Sequence, residues 1–308
     1  MAPQRSTLAT VIDRHPRFWV ELVLWALCAR RSLPDRDFHL LVYFIDEAPP
    51  DLAEWLGRQG IESRVTSPLV PASPHCNKIR PFLDAHPSDH VMVTDADVYF
   101  VANPAALVTR HAIQAAPNNH GNPPGIVFRK LLEAAGLGHA YKPGVSLMPN
   151  SAGGRETYRN NISAGVVGMP AAVTADFASL WLEKVRWLVD HRALLGAWGI
   201  HVDQVGFALA MAERDEEVLF LPPQMNIVLH LLPQLDTAYA FHLTSAHVPE
   251  FPARFLPGGE LSDEGVSPPM KLSLGALNAC IAHAREEILR LPSTSAHVEM
   301  FLNPAWRR

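Results

Sequence analysis

The feature that most constrains this chain is an alternation of short apolar runs with helix-forming segments, repeated through roughly its first hundred residues. Residues 7–13 (TLATVID) form a β-type run, and residues 16–31 place Trp19, Leu22, Val23 and Ala26 at the spacing of one helix face. Residues 39–45 (HLLVYFI), bounded by Asp46 and Pro49-Pro50, read as a second strand, and 51–59 as a helix ended by Gly60. A strand around 62–66, a helix around 77–84 and an apolar strand at 91–94 continue the series. Strands that are apolar along almost their whole length need both faces covered. The expected fold class is therefore α/β, with a mostly parallel central sheet flanked by helices.

Beyond this the pattern loosens. Residues 114–160 are rich in Pro, Gly and Asn, with Pro123-Pro124, Gly153-Gly154 and Asn160-Asn161 as breakers, and read as loop around one short helix at 128–135. Residues 164–168 read as a strand, and 172–195 as a long helix with Phe177, Trp181, Val185 and Leu188 on one face. Another helix starts near His201, 257–268 is loop, and 271–291 is a terminal helix with Leu277, Ile281, Ala284 and Ile288 in register.

Composition narrows the classes. A chain of 308 residues buries enough surface to need no covalent staples. Lys and Arg total 26 against 31 Asp and Glu, a net charge of −5, and no basic stripe is interleaved with aromatics, which argues against a nucleic-acid partner. The three cysteines, Cys28, Cys76 and Cys280, are far apart and odd in number, so neither a disulfide framework nor a cysteine zinc site is indicated, and a reducing, cytoplasmic setting is expected. The apolar stretch at 18–29 contains Glu21 and is too short to span a membrane; peripheral membrane association stays open.

The chemistry concentrates in residues 90–100, HVMVTDADVYF. An apolar strand feeds into Thr94, and Asp95 and Asp97 then flank Ala96, so two carboxylates two apart stand just past the strand's carboxyl end. Ligands of open α/β sheets gather there. Two hard oxygen donors suit Mg²⁺ or Mn²⁺, and such a cation neutralises a diphosphate leaving group. An isolated pair of this kind is more often a solvated turn, and its place behind an apolar strand reverses that preference.

Further motifs follow in order: Asn77-Lys78-Ile79-Arg80-Pro81-Phe82, Asn161-Ile162-Ser163-Ala164-Gly165-Val166, Asp203-Gln204, Leu221-Pro222 leading to Asn226, and Phe241-His242. With Asp95-Ala96-Asp97 this set resembles the nucleotide-sugar-dependent glycosyltransferases of the GT-A fold, in particular the glycogenin-like and lipopolysaccharide galactosyltransferase group, over roughly residues 7–247. The resemblance implies a GT-A domain over 1–256, with a nucleotide-binding half at 1–112, a variable insertion at 113–160 and an acceptor and metal half at 161–256, followed by a C-terminal loop and helix at 257–308. It implies transfer of a hexose from a nucleoside diphosphate, UDP foremost, to a glycan or small hydroxylated acceptor, with Mn²⁺ or Mg²⁺ as cofactor.

Carried onto this sequence, the resemblance makes Asp95, Asp97 and His242 the metal ligands, with Asp95 also facing the ribose. Asp13 is implied at the nucleotide base, Lys78 at the diphosphate, Ala164 and Gly165 along the sugar, and Asp203 and Gln204 as the catalytic pair against the donor sugar. The first-turn position of Asp203 is also what a helix dipole alone favours. Two positions depart from the family pattern. Ser163 stands where an Asn is usual, and residues 244–247 (TSAH) replace a Gly-x-x-Lys, leaving His247 as the substitute cation. With an ordinary pKa near 6.5, a histidine carries that charge less reliably at neutral pH than a lysine. These departures give weight to an alternative, a non-catalytic relative that binds sugar nucleotides or glycans. A haloacid-dehalogenase-like phosphatase also follows a buried strand with DxD. It expects the motif on its first strand and a Thr or Gly-Thr after the pair, where this chain has three preceding elements and Val98-Tyr99.

Overall fold

The computed structural model describes residues 5–118, 122–145, 156–228, 235–243, 255–256 and 259–299. They form β1 (Ser6–Ile12), α1 (Pro16–Ser32), β2 (Phe38–Ile45), α2 (Pro50–Arg58), β3 (Glu62–Thr66), α3 (Arg80–Leu83), β4 (His90–Thr94), β5 (Val98–Phe100) and β6 (Gln114–Pro117). There follow α4 (Gly125–Ala134), β7 (Pro143–Val145), β8 (Glu156–Tyr158), β9 (Ile162–Pro170), α5 (Ala171–Asp190), α6 (Val202–Glu213), β10 (Leu219–Phe220), β11 (Ile227–Val228), β12 (Ala240–His242), α7 (Pro268–Arg290) and α8 (Pro292–Ser295). Seven strands make one mostly parallel sheet in the order β10-β6-β9-β4-β1-β2-β3, the expected α/β class. The chain divides into two compact units, the first holding 1–67, 94–107 and 223–308, the second 68–93 and 108–222.

In the first unit β1, β2 and β3 pair in parallel, Ser6 opposite Phe38 and Leu41 opposite Glu62. Seven of the eight β2 residues are buried, as a strand covered on both faces requires. α1 opens with Pro16, whose missing N–H costs nothing in a first turn, and His15 caps it by accepting from the Arg17 N–H. Every residue from Val20 to Ala29 is buried, because α7 also packs on this helix. α7 supplies Met270, Leu274, Leu277, Ile281, Ala284 and Ile288 as one apolar stripe, starts under a Ser267 cap, and is tied to α2 where Trp55 Nε1 donates to Glu287 at 2.7 Å. A second, three-stranded sheet runs β11-β12-β5.

In the second unit β6 pairs antiparallel with β9 and parallel with β10. α5 and α6 pack closely: a Cβ on Gly206 would lie 2.6 Å from Val185 Cγ2, so only glycine permits this crossing. Phe177, Trp181 and Phe207 fill the contact in edge-on and tilted pairs.

Three segments differ from the sequence expectation. The helix expected at 77–84 is a 3-10 turn over Pro74–Ile79 followed by the single turn α3, since Pro81 has no N–H to give the Asn77 carbonyl, which accepts from the Arg80 N–H instead. α5 stops at Asp190 rather than 195, and 3-10 turns with Gly196 at φ +56 carry the chain to α6. The described residues of 114–160 hold more regular structure than expected: they contribute β6 to the large sheet, α4 begins at Gly125, and β7 and β8 form a two-stranded ribbon.

Candidate metal centre and a buried lysine–aspartate pair

The first cluster is made by β5 and β12. β4 ends at Thr94 and β5 begins at Val98, so Asp95 and Asp97 stand in the turn between them. The turn is closed by the Val98 N–H donating to the Asp95 carbonyl at 3.2 Å. β12 pairs antiparallel with β5, His242 opposite Val98, and the Leu243 N–H donates to the Asp97 carbonyl at 2.9 Å. This register sets the imidazole beside the turn: His242 Nε2 lies 3.3 Å from Asp97 Oδ1. Asp95, Asp97 and His242 each offer one ligand atom, all within 4.8 Å of one another. His242 is buried and both aspartates are half-buried.

Two carboxylates and an imidazole are a donor set for Mn²⁺ or Mg²⁺, at bond lengths of about 2.0–2.3 Å. Adjacent ligands of an octahedron with such bonds are about 2.8–3.3 Å apart and opposite ones about 4.0–4.6 Å. The 3.3 Å between His242 Nε2 and Asp97 Oδ1 matches adjacent positions, and all three donor atoms lie within 4.8 Å of one another, close enough to share one ion.

The second cluster lies in the other unit. Lys78, at the end of the 3-10 turn, is buried; its Nζ is 3.1 Å from Asp203 Oδ2 and donates to the Ala164 carbonyl at 3.3 Å. Asp203 is in the first turn of α6, with its side chain only 8% exposed, and its carbonyl accepts from Trp181 Nε1 at 2.7 Å. Burial would raise the Asp203 pKa. The charges of Lys78 and His75, with hydrogen bonds from Lys78 and the Gln204 backbone, outweigh burial and hold the carboxyl below its usual range. Nearby Cys76 is pushed up to about 12 by burial and by Asp203, leaving an inert thiol.

Gln204 is fixed by its neighbours. Its Nε2 donates to the Asn122 carbonyl at 3.1 Å, and the same oxygen accepts from Asn161 and Asn118. A carbonyl can face only the amide's NH₂, so the Gln204 side-chain orientation is set chemically, with its oxygen turned away from Asn122.

The structure thus joins Asp95, Asp97 and His242 in one cluster, and Lys78, Ala164, Asp203 and Gln204 in another. Asp13 is half-buried between β1 and α1, and Gly165 is buried in β9. His247 lies outside the described residues. Asn122 and Asn161 were missed as partners of Gln204, since nothing local to Asn122-Pro123 signals a carbonyl shared by three amides.

No protein-family model and no curated protein sequence matches the chain. Among solved structures it is similar to an active-site mutant of LgtC, with a TM-score of 0.55 at 11% identity over 89% of this chain and 95% of that one. It is similar also to the galactosyltransferase LgtC in complex with donor and acceptor sugar analogues, with a TM-score of 0.54 at 11% identity over 90% and 95%. These likenesses give the fold, and the fold is GT-A.

Proposed function

We propose that this protein is a metal-dependent glycosyltransferase that moves a hexose from a nucleoside-diphosphate sugar, UDP in the first instance, to a glycan or small hydroxylated acceptor. The observation that carries the reading is the Asp95, Asp97 and His242 cluster at the carboxyl end of β4, in a chain with the fold of a galactosyltransferase. Asp95, Asp97 and His242 would hold Mn²⁺ or Mg²⁺, which would supply charge neutralisation for a departing diphosphate. Asp13 takes the nucleotide base. Lys78 brings a permanent positive charge to a phosphate and orients Asp203. Gln204 accepts a sugar hydroxyl on its side-chain oxygen, and Asp203, ionised by its neighbours, holds further hydroxyls or receives the acceptor's proton. Ala164 and Gly165 line the sugar, and His247 assists at the diphosphate.

Among the described residues no helix is long and apolar enough to cross a membrane. A cytoplasmic enzyme, with at most peripheral membrane contact, fits this reading.

Calorimetry with UDP, in the presence and absence of Mn²⁺, tests the proposal. Metal-dependent uptake of UDP is expected, and its absence would sink the reading. Hydrolysis of a panel of UDP-sugars, read as released UDP, then identifies the donor. UDP binding without turnover on any donor or acceptor would instead favour a non-catalytic relative.

A further inference from the structure

The first turn of α1 carries a cation that the motif reading leaves unused. α1 follows β1 and so begins at the carboxyl end of that strand. Two bonds tie the helix to the segment that bears the carboxylates: Trp25 Nε1 donates to Thr94 Oγ1 at 3.0 Å, and Ser32 Oγ to the Phe100 carbonyl at 3.0 Å. Trp25 is thus level with Thr94, the last residue of β4, and the two turns of α1 before it extend past that end of the strand, where the Asp95–Asp97 turn stands. Arg17 is on those turns. Its Nε donates to Glu21 Oε1 at 2.8 Å, and Glu21, one turn on, has a side chain only 4% exposed.

Burial alone would lower the Arg17 pKa, but the charge of Glu21 and its hydrogen bond, and after them the charges of Asp97 and Tyr99, outweigh it and hold it above its ordinary value. Arg17 and Asp97 thus act on each other electrostatically. Anchoring through Nε leaves the two terminal nitrogens, which make no hydrogen bond with a described residue, and the side chain is 26% exposed. A guanidinium held this way keeps a fork of donors for a second anion.

The formal charges of the site favour a phosphate as that anion. Asp95 and Asp97 carry two negative charges and the Arg17–Glu21 pair none, so a divalent cation brings the cluster to neutrality. A nucleoside diphosphate then adds negative charge that the cluster itself no longer balances. We infer that Arg17, aimed by Glu21, is a phosphate-binding residue of this site, taking a diphosphate oxygen on its terminal nitrogens. The inference rests on the nucleotide-sugar reading and adds a permanent cation to it.

Calorimetry on the full chain tests it, first with Mn²⁺ alone and then with UDP in saturating Mn²⁺, comparing wild type, R17M and R17M/E21Q. A charge-assisted hydrogen bond lost from the ligand weakens UDP roughly tenfold or more. R17M also removes a positive charge near Asp97, so it binds Mn²⁺ at least as tightly as wild type. R17M/E21Q guards against misfolding caused by a buried, unbalanced Glu21, and shows the same loss for UDP. UDP binding within twofold of wild type in either variant overturns the role of Arg17 while leaving the donor reading standing. Parallel loss of Mn²⁺ and UDP binding in both variants overturns it as well, because it marks Arg17 as structural. A wild type that takes up no UDP with Mn²⁺ overturns both readings.

Discussion

Removing the charge of Asp203 separates what the Lys78–Asp203 pair does for the fold from what it does for chemistry. The two charged atoms are 3.1 Å apart, with side chains 10% and 8% exposed. At an effective dielectric of about 20, opposite charges at that distance attract by about 5 kcal/mol, against which stands the cost of taking both out of water. Asp203→Asn keeps the shape and one acceptor oxygen but leaves the Lys78 ammonium buried beside a neutral amide. Its expected cost is about 3–5 kcal/mol, the usual penalty for breaking a buried pair from one side. Replacing both partners, Lys78→Met with Asp203→Leu, removes the desolvation cost together with the attraction, so stability returns to within about 1 kcal/mol of wild type or exceeds it. Urea denaturation followed by circular dichroism measures both variants, and release of UDP from the donor measures turnover. Under the proposed roles the double variant is stable and still loses about 100-fold or more in turnover. An Asp203→Asn loss under about 1 kcal/mol would refute the energetic argument. A double variant that turns over like wild type would show that the pair serves only the fold.

The remaining predictions address the metal cluster, a buried histidine and a helix crossing. Asp97→Asn is expected to abolish Mn²⁺ uptake in calorimetry while shifting the urea midpoint little, since the half-buried turn keeps its backbone bonds to Val98 and Leu243. His90 is buried, and burial, then the charge of Arg110, pushes its pKa down to about 4. Because the unfolded chain takes up this proton near pH 6.5, the native state holds its full stability above that pH and loses it as the pH falls toward 4. The loss is about 2 kcal/mol by pH 5 and about 3 kcal/mol in all. A His90→Leu variant should lack this slope in urea titrations at pH 7.5, 6 and 5, and an unchanged slope would assign it to other groups. Gly206→Ala would set a methyl 2.6 Å from Val185 Cγ2 in the α5–α6 contact, with an expected cost of about 1–3 kcal/mol by thermal or urea melts. Full stability in that variant would mean the crossing relaxes freely.

What could be read in the sequence was whatever is carried by neighbours along the chain. The apolar runs of β1, β2 and β4 announce a sheet covered on both faces, and the two aspartates after Thr94 announce a polar site at its edge, because strand and carboxylates are contiguous. Strands of two or three residues, such as β5, β11 and β12, are too short to show a period, so the small sheet that brings His242 beside Asp97 left no local trace. His242 entered only through the order of motifs. Lys78 and Asp203 were each legible as candidates, but not their direct bond, which depends on α5 and α6 approaching at Gly206 and on Trp181 gripping the Asp203 carbonyl. Arg17 shows the same limit from the other side. An opposite charge four residues along an apolar helix is visible in the sequence as Arg17 and Glu21, and by itself it reads as one more surface pair. What changes its meaning is the burial of Glu21: a carboxylate taken out of water needs a fixed cation, and fixing that cation at the start of α1 places a permanent positive charge where it acts on Asp97. The folding requirement of one buried acid thus positions a charge that, under the proposed function, a donor's phosphates can use.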